Sequence, residues 1–132
     1  MSTPADIGLA RWHEVVDSRD ASRLPGIIAE DAVFRSPAVH TPQQGRGLVA
    51  AYLAGAIEVL GPGLTYHDEW VRERDAVLRF TTVVDGLEVE GVDLITWDDE
   101  GRIVGFTVMI RPFKALEAVI LRMQEELAKL AG

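Results

Sequence analysis

One carboxyl group in the stretch EVEGVDLITWDDEG has surroundings that could give it unusual chemistry. Side chains alternate between the two faces of a β-strand, and Asp93 falls on the same face as Ile95 and Trp97, opposite to Glu90. A carboxylate among apolar groups is unfavourable unless it is paired, hydrogen-bonded or protonated. We therefore predict that the pKa of Asp93 is raised and that this group donates or relays a proton. The alternative is a structural carboxyl group that is hydrogen-bonded to Trp12 or to another buried donor.

A second ionisable candidate is His40, in the proline-containing loop SPAVHTP that follows the first expected strand. Histidine titrates near neutral pH and could therefore act as a general base close to the mouth of a pocket. The alternative is an exposed histidine, since loops lie mostly on the surface.

Most of the other candidates are apolar or aromatic side chains that helical spacing or strand alternation directs inward. Pocket walls are mostly apolar, so such residues serve equally well as core and as ligand contacts. The expected ligand-lining residues of this kind are Trp12, Phe34, Tyr52, Leu53, Leu78, Phe80, Ile95, Phe106 and Val108.

No metal or cofactor site is predicted. His67 and Asp68 are neighbours on an expected strand, so their side chains point to opposite faces and do not readily share one ion. The Gly-Arg-Gly at 45–47 is too short for a phosphate-binding loop and indicates the start of a helix.

The net charge and the composition of the chain limit the kinds of molecule that it is expected to bind. The formal net charge of -8 disfavours binding to nucleic acid or to an anionic membrane surface. The chain has no cysteine, no secretory signal pattern and no apolar run of membrane-spanning length, so we expect a cytoplasmic protein that is not bound to a membrane.

The first half of the chain is predicted to be helical. Thr3 can cap a helix that fades near Ser18, a short helix follows, and a third helix covers roughly Leu48 to Leu60. In the second half, apolar and polar residues alternate as they do in β-strands, and Asp85-Gly86 indicates a tight hairpin turn. We expect a single domain over 1–132, with a helical part at about 1–60, a sheet at about 64–111 and a C-terminal helix at about 112–130.

This order of elements predicts an α+β fold, with a curved antiparallel sheet packed against the N-terminal helices and an additional C-terminal helix. Such a sheet leaves a cavity between its layers, which we expect to take a small hydrophobic molecule. The outward face of the sheet mixes apolar and charged groups and is predicted to form a homodimer interface. Alternation assigns to this face Arg79, Thr81, Glu88, Glu90, Val92, Leu94, Thr96, Ile103, Gly105, Thr107, Met109 and Arg111.

Three stretches, AEDAVFRSP, GRGLVAAYLAG and GVDLITWDDEGRIVGFTVMIRP, together with the order of elements, carry a family resemblance. The chain resembles the nuclear transport factor 2-like superfamily, and within it the SnoaL-like branch of polyketide cyclases and ketosteroid isomerases. The resemblance implies a cone-shaped domain, a sheet-to-sheet homodimer and an isomerase or cyclase that acts on a small hydrophobic carbonyl compound. The superfamily also contains proteins without chemistry, so a binding module and a dimeric scaffold remain alternatives.

Ketosteroid isomerase gives the sharpest comparison, because a carboxylate base moves a proton there while a tyrosine and a protonated aspartate hold the oxyanion. The resemblance places Asp93 at the oxyanion-hole aspartate. It places Trp12 where the family has the tyrosine, and Ser36 where it has the base. Ser36 cannot act as a base, which disfavours ordinary ketosteroid isomerisation.

Overall fold

The computed structural model describes residues 2–131. The helices are α1 (Pro4–Ser18), α2 (Arg46–Leu60) and α3 (Phe113–Ala131), with short 3₁₀ helices at Ala21–Ile27 and Gly61–Gly63. The strands are β1 (Ile28–Arg35), β2 (Gln43–Gln44), β3 (Thr65–Val71), β4 (Asp75–Val84), β5 (Leu87–Trp97) and β6 (Ile103–Arg111).

Helix α1 begins at the residue that the sequence predicts. The Thr3 hydroxyl accepts a hydrogen bond from the backbone N–H of Asp6, and the Asp6 carboxylate accepts one from the N–H of Thr3, both at 3.1 Å. These two bonds satisfy N–H groups that have no partner inside the helix. The helix then buries Trp12 and Val15 against the sheet side of the domain.

The α+β fold is confirmed. The six strands form one sheet in the order β2-β1-β6-β5-β4-β3. Neighbouring strands are antiparallel except β1 and β6, which run parallel and so depart from the all-antiparallel expectation. A parallel pair needs a long connection between its strands, and here the chain between β1 and β6 includes α2 and four further strands.

The hairpin between β4 and β5 also forms where it is predicted. Asp85 and Gly86 have φ values of 51° and 79°, and Val84 pairs with Leu87 on either side of them. Positive φ at both central residues is the geometry of the turn that matches the twist of a hairpin. This turn fixes the register of β5 and thereby the face on which Asp93 lies.

Alternation along β5 is as predicted, with Val89, Asp93 and Trp97 buried. The register shifts between Thr96 and Trp97, however, so that Trp97 pairs with Ile103. Ile103 is therefore fully buried, and its assignment to the outer face was wrong. A bulge of this kind moves a side chain to the opposite face without leaving a mark in the alternation pattern.

A glycine lets α1 lie directly on the sheet. A Cβ atom at Gly8 would come within 2.2 Å of the Trp97 indole, which is closer than any contact between non-bonded atoms allows. Because Gly8 has no side chain, the Trp97 ring packs directly against the backbone of α1. This close approach allows Trp12, one turn further along α1, to be buried in the domain.

Helix α3 covers the open side of the domain. Its apolar face packs on α2, where Met123 lies against Gly55, and the Arg122 guanidinium donates to the Asp85 carboxylate at 3.0 Å. The position of this helix decides whether the space inside the sheet is open or covered, and here α3 covers it.

Within residues 2–131, none of the helices is both long and apolar enough to cross a bilayer.

Candidate functional site

Asp93 lies at the centre of β5, between Leu78 on β4 and Val108 on β6. Its side chain faces the interior and is 5% exposed. Burial raises the pKa of Asp93 to about 7, and a hydrogen bond from Tyr66 limits the rise because it stabilises the carboxylate. A carboxyl group with this pKa is divided between its acid and base forms near neutral pH, so it can exchange protons there.

Two aromatic residues complete a chain of hydrogen bonds to this carboxyl group. The Tyr66 hydroxyl donates to Asp93 Oδ2 at 2.6 Å, and the Trp12 indole N–H donates to the Tyr66 oxygen at 3.0 Å. Burial and the neighbouring Asp93 carboxylate raise the pKa of Tyr66 well above its ordinary value, so its proton stays on the oxygen. Trp12 thus reaches Asp93 through Tyr66, not by the direct contact that the sequence suggests.

Tyr66 was not among the residues predicted for the site. It is the one residue of β3 that is not exposed, and the register of β3 shifts between Tyr66 and Asp68. That shift removes the simple alternation that would have marked Tyr66 as inward-facing. A tyrosine between the polar residues Thr65 and His67 is the only signal in the sequence, and it is a weak one, since Trp70 on the same strand is exposed.

Two adjoining spaces occupy the interior. An inner space of about 30 Å³ lies beside Asp93 and Tyr66, and an outer cavity of about 240 Å³ lies beneath α3. On α3 the outer cavity is bounded by Val119, Met123 and Gln124 among others, and on the opposite side by Phe34 and Tyr52. Its walls are mostly apolar, as in pockets that bind small molecules.

The predicted site residues divide between these two spaces. The inner space is lined by Trp12, Leu53, Phe80, Asp93, Phe106 and Val108. The outer cavity is lined by Phe34, Ser36, Tyr52 and, again, Val108. Leu78 and Ile95 line neither, because both are fully packed in the core.

The loop after β1 does not bring His40 to Asp93. His40 is exposed and lines neither the inner space nor the outer cavity. Ser36, in the same loop, accepts a hydrogen bond from the backbone N–H of Ala38 at 3.0 Å and lines the outer cavity. The loop thus contributes a hydroxyl group, not an imidazole, to the cavity wall.

Within residues 2–131, no three histidine or carboxylate side chains cluster as metal ligands would. His67 contacts the Thr81 hydroxyl at 2.6 Å, and His13 contacts Glu69. His67 lies on an exposed part of β3, whereas His13 is half-buried on α1, with its ring centroid 5.4 Å from that of Tyr66.

The comparison with protein families fits this geometry. The family model of the SnoaL-like domain matches residues 9–106, which include Trp12, Tyr66 and Asp93. The chain belongs to the SnoaL-like domain family. No curated protein matches this SnoaL-like chain in sequence.

Solved structures share the SnoaL-like fold at several levels of identity. A steroid delta-isomerase from Pseudomonas aeruginosa is 38% identical, with a TM-score of 0.93 over 100% of this chain and 98% of that one. A protein with a cystatin-like fold from Silicibacter pomeroyi DSS-3 is 34% identical, with a TM-score of 0.83 over 89% and 83%. RV0760c from Mycobacterium tuberculosis, solved in complex with estradiol-17beta-hemisuccinate, is 16% identical, with a TM-score of 0.66 over 86% and 98%, and shares the fold alone.

Proposed function

We propose that this SnoaL-like protein binds a small apolar carbonyl compound and promotes its isomerisation or cyclisation. Asp93 acts as the general acid or as a hydrogen-bond donor to the developing oxyanion. The observation that carries the proposal is the burial of Asp93 with a pKa of about 7 at the end of the Trp12–Tyr66 hydrogen-bond chain. The similarity to the Pseudomonas aeruginosa steroid delta-isomerase supports the same class of reaction.

The proposed chemistry is an enolisation. In its acid form Asp93 accepts the Tyr66 hydrogen bond at Oδ2 and keeps its own proton on Oδ1, from which it donates a hydrogen bond to the ligand carbonyl oxygen. A base then removes a proton from the carbon next to the carbonyl, and the enolate charge is stabilised by the Asp93 hydrogen bond in a site of low polarity. Return of the proton to a different carbon moves the double bond. A water molecule takes the part of the base, because His40 lines neither of the two spaces.

A non-catalytic binding protein is the second candidate, and one observation favours it. Among the described residues that line the two spaces, Asp93 is the only carboxylate and there is no histidine. Ser36, where the family pattern has its base, does not accept protons at neutral pH. In this alternative Asp93 and Tyr66 serve only to hold the polar end of a bound molecule.

The two candidates are separated by replacing Asp93 with Asn in an assay that follows a cyclic β,γ-unsaturated ketone as it becomes conjugated. We expect kcat/KM to fall about 100-fold, because the variant loses the ionisable proton that faces the oxyanion. Binding of the ketone should fall much less. Asp31→Asn, which removes an exposed carboxylate on β1, is the matched control and should leave kcat/KM unchanged.

Equal turnover by wild-type protein and Asp93→Asn would contradict the enzymatic proposal. Ketone binding without turnover by the wild-type protein would favour the binding protein. Absence of both would contradict a carbonyl-binding site at Asp93.

We also propose that two copies associate through the outer face of the sheet. Trp70 is 57% exposed and Met109 is 55% exposed on this face. Met109 pairs with the half-buried Val92, and Val77 lies between Trp70 and the half-buried Leu94. A row of charges crosses the same face, in which Arg79 contacts Asp68 at 2.7 Å and Glu90 at 3.0 Å. An apolar patch beside a row of alternating charges is self-complementary when two copies meet about a two-fold axis.

Light scattering tests the dimer directly. The wild-type protein is expected to have twice the monomer mass at micromolar concentration, and Met109→Arg is expected to have the monomer mass, since it places a charge within the apolar patch. Leu121→Arg is the control, because Leu121 is 60% exposed on α3, outside the sheet face. A monomer mass for the wild-type protein over this range would refute the dimer.

A further inference from the structure

Three side chains lie at the boundary between the inner space and the outer cavity. Ala56 and Leu60 on α2 and Val108 on β6 line both spaces, whereas Asp93 and Tyr66 line only the inner one. A ligand in the outer cavity must therefore pass these three side chains to reach the reactive carboxyl group.

The two volumes determine what can pass. The inner space of about 30 Å³ has room for about two water molecules. It does not hold a ring, whereas the outer cavity of about 240 Å³ holds a compact apolar body. A ligand carbonyl or hydroxyl oxygen is the size of one water molecule and fits beside Asp93 while the rest of the ligand remains under α3.

We propose that Leu60 and Val108 form a constriction that selects ligands by the shape of their polar end. Only a molecule whose oxygen projects from an unhindered edge reaches Asp93 and Tyr66. A molecule with the same oxygen flanked by ring carbons binds in the outer cavity without contacting them. This inference rests on the proposed function, since it assumes that Asp93 meets the ligand oxygen.

The backbone on both sides of the constriction is held in place. The Leu60 carbonyl accepts a hydrogen bond from the Thr82 hydroxyl at 2.9 Å, which fixes the end of α2 against β4. Val108 pairs directly with Asp93 across the β5–β6 ladder. Leu60 and Val108 are 8% and 6% exposed and belong to α2 and β6, not to a loop. The width of the constriction is therefore set by side-chain size and not by loop motion.

The two isomers of naphthol form a suitable pair of probes, because they have equal apolar surface and the same hydroxyl group. In beta-naphthol the hydroxyl projects from the edge of the ring system, and in alpha-naphthol the second ring shields it. We expect the wild-type protein to bind beta-naphthol about tenfold more tightly, the ratio that one satisfied buried hydrogen bond gives. Only beta-naphthol should shift the carbon-13 signal of the Asp93 carboxyl group.

Leu60→Ala should remove the preference, since the shorter side chain admits the ring edge of alpha-naphthol, and both isomers should then shift the Asp93 signal. Val108→Ala should widen the same constriction from the β6 side and should likewise remove the preference. Val59→Ala is the control, because Val59 is a buried residue of α2 that lines neither space, and it should keep the wild-type preference.

Equal binding of both isomers to the wild-type protein, or an unchanged preference in both Leu60→Ala and Val108→Ala, would overturn the constriction while leaving the apolar pocket intact. If neither isomer bound to any folded variant, the proposed binding function itself would fail, and the constriction with it. Binding of beta-naphthol without any change at the Asp93 carboxyl signal would likewise overturn the constriction, because the oxygen would then lie elsewhere.

Discussion

Replacing Asp93 with Asn is expected to abolish a pH dependence of stability worth about 4 kcal/mol. The pKa of Asp93 rises from an ordinary 3.8 to about 7 in the folded protein, and each pKa unit corresponds to about 1.4 kcal/mol. Between these two values the folded state binds more protons than the unfolded state. The contribution of Asp93 to the free energy of unfolding is therefore largest below its pKa in the unfolded state. It falls as pH rises and is lost above its pKa in the folded state.

The measurement is the free energy of unfolding by denaturant over this pH window, for the wild-type protein and for Asp93→Asn. The difference between the two curves isolates Asp93, because other carboxyl groups such as Asp75 have lowered pKa values and act in the opposite direction in both proteins. Asp31→Asn controls for the loss of one carboxylate from an exposed position. Two parallel curves would contradict the burial of an ionisable Asp93.

Replacing Tyr66 with Phe is expected to raise the pKa of Asp93 above its wild-type value of about 7. Burial remains, whereas the hydrogen bond from Tyr66 that stabilises the carboxylate is lost. A hydrogen bond to a charged group contributes about 1.5–3 kcal/mol, which corresponds to an increase of about one to two pKa units. The acid form of Asp93 would then persist to higher pH, and the pH at which any turnover or binding changes should move with it.

The control for this variant is Tyr52→Phe, since Tyr52 lines the outer cavity but not the inner space beside Asp93. It removes the same hydroxyl group without touching Asp93 and should leave the Asp93 titration in place. An Asp93 pKa that is unchanged or lower in Tyr66→Phe would show that Tyr66 does not donate to the carboxylate.

Features that depend on neighbouring residues along the chain are predictable from the sequence. The Thr3 cap, the Asp85-Gly86 turn and the inward face of Asp93 follow from capping, turn and alternation rules, and the structure confirms each of them. The family resemblance adds the curved sheet and its helices, which the family match also supports. These features suffice to find Asp93 and to state the direction in which its pKa is shifted.

Features that depend on register shifts or on distant packing are not predictable in this way. The shift between Tyr66 and Asp68 hides the hydrogen-bond donor to Asp93, and the shift between Thr96 and Trp97 moves Ile103 from the outer face to the core. Whether α3 covers the cavity depends on its packing against α2, which no local pattern encodes. The division of the interior into two spaces follows from this packing and from individual side-chain sizes.

The most direct test of the role proposed for Asp93 is a carbon-13 titration of its carboxyl group in the wild-type protein, assigned by comparison with Asp93→Asn. We expect a pKa of about 7, raised by burial. A value at or below the ordinary 3.8 would mean that Asp93 stays ionised at neutral pH, and would contradict its role as an acid or oxyanion donor.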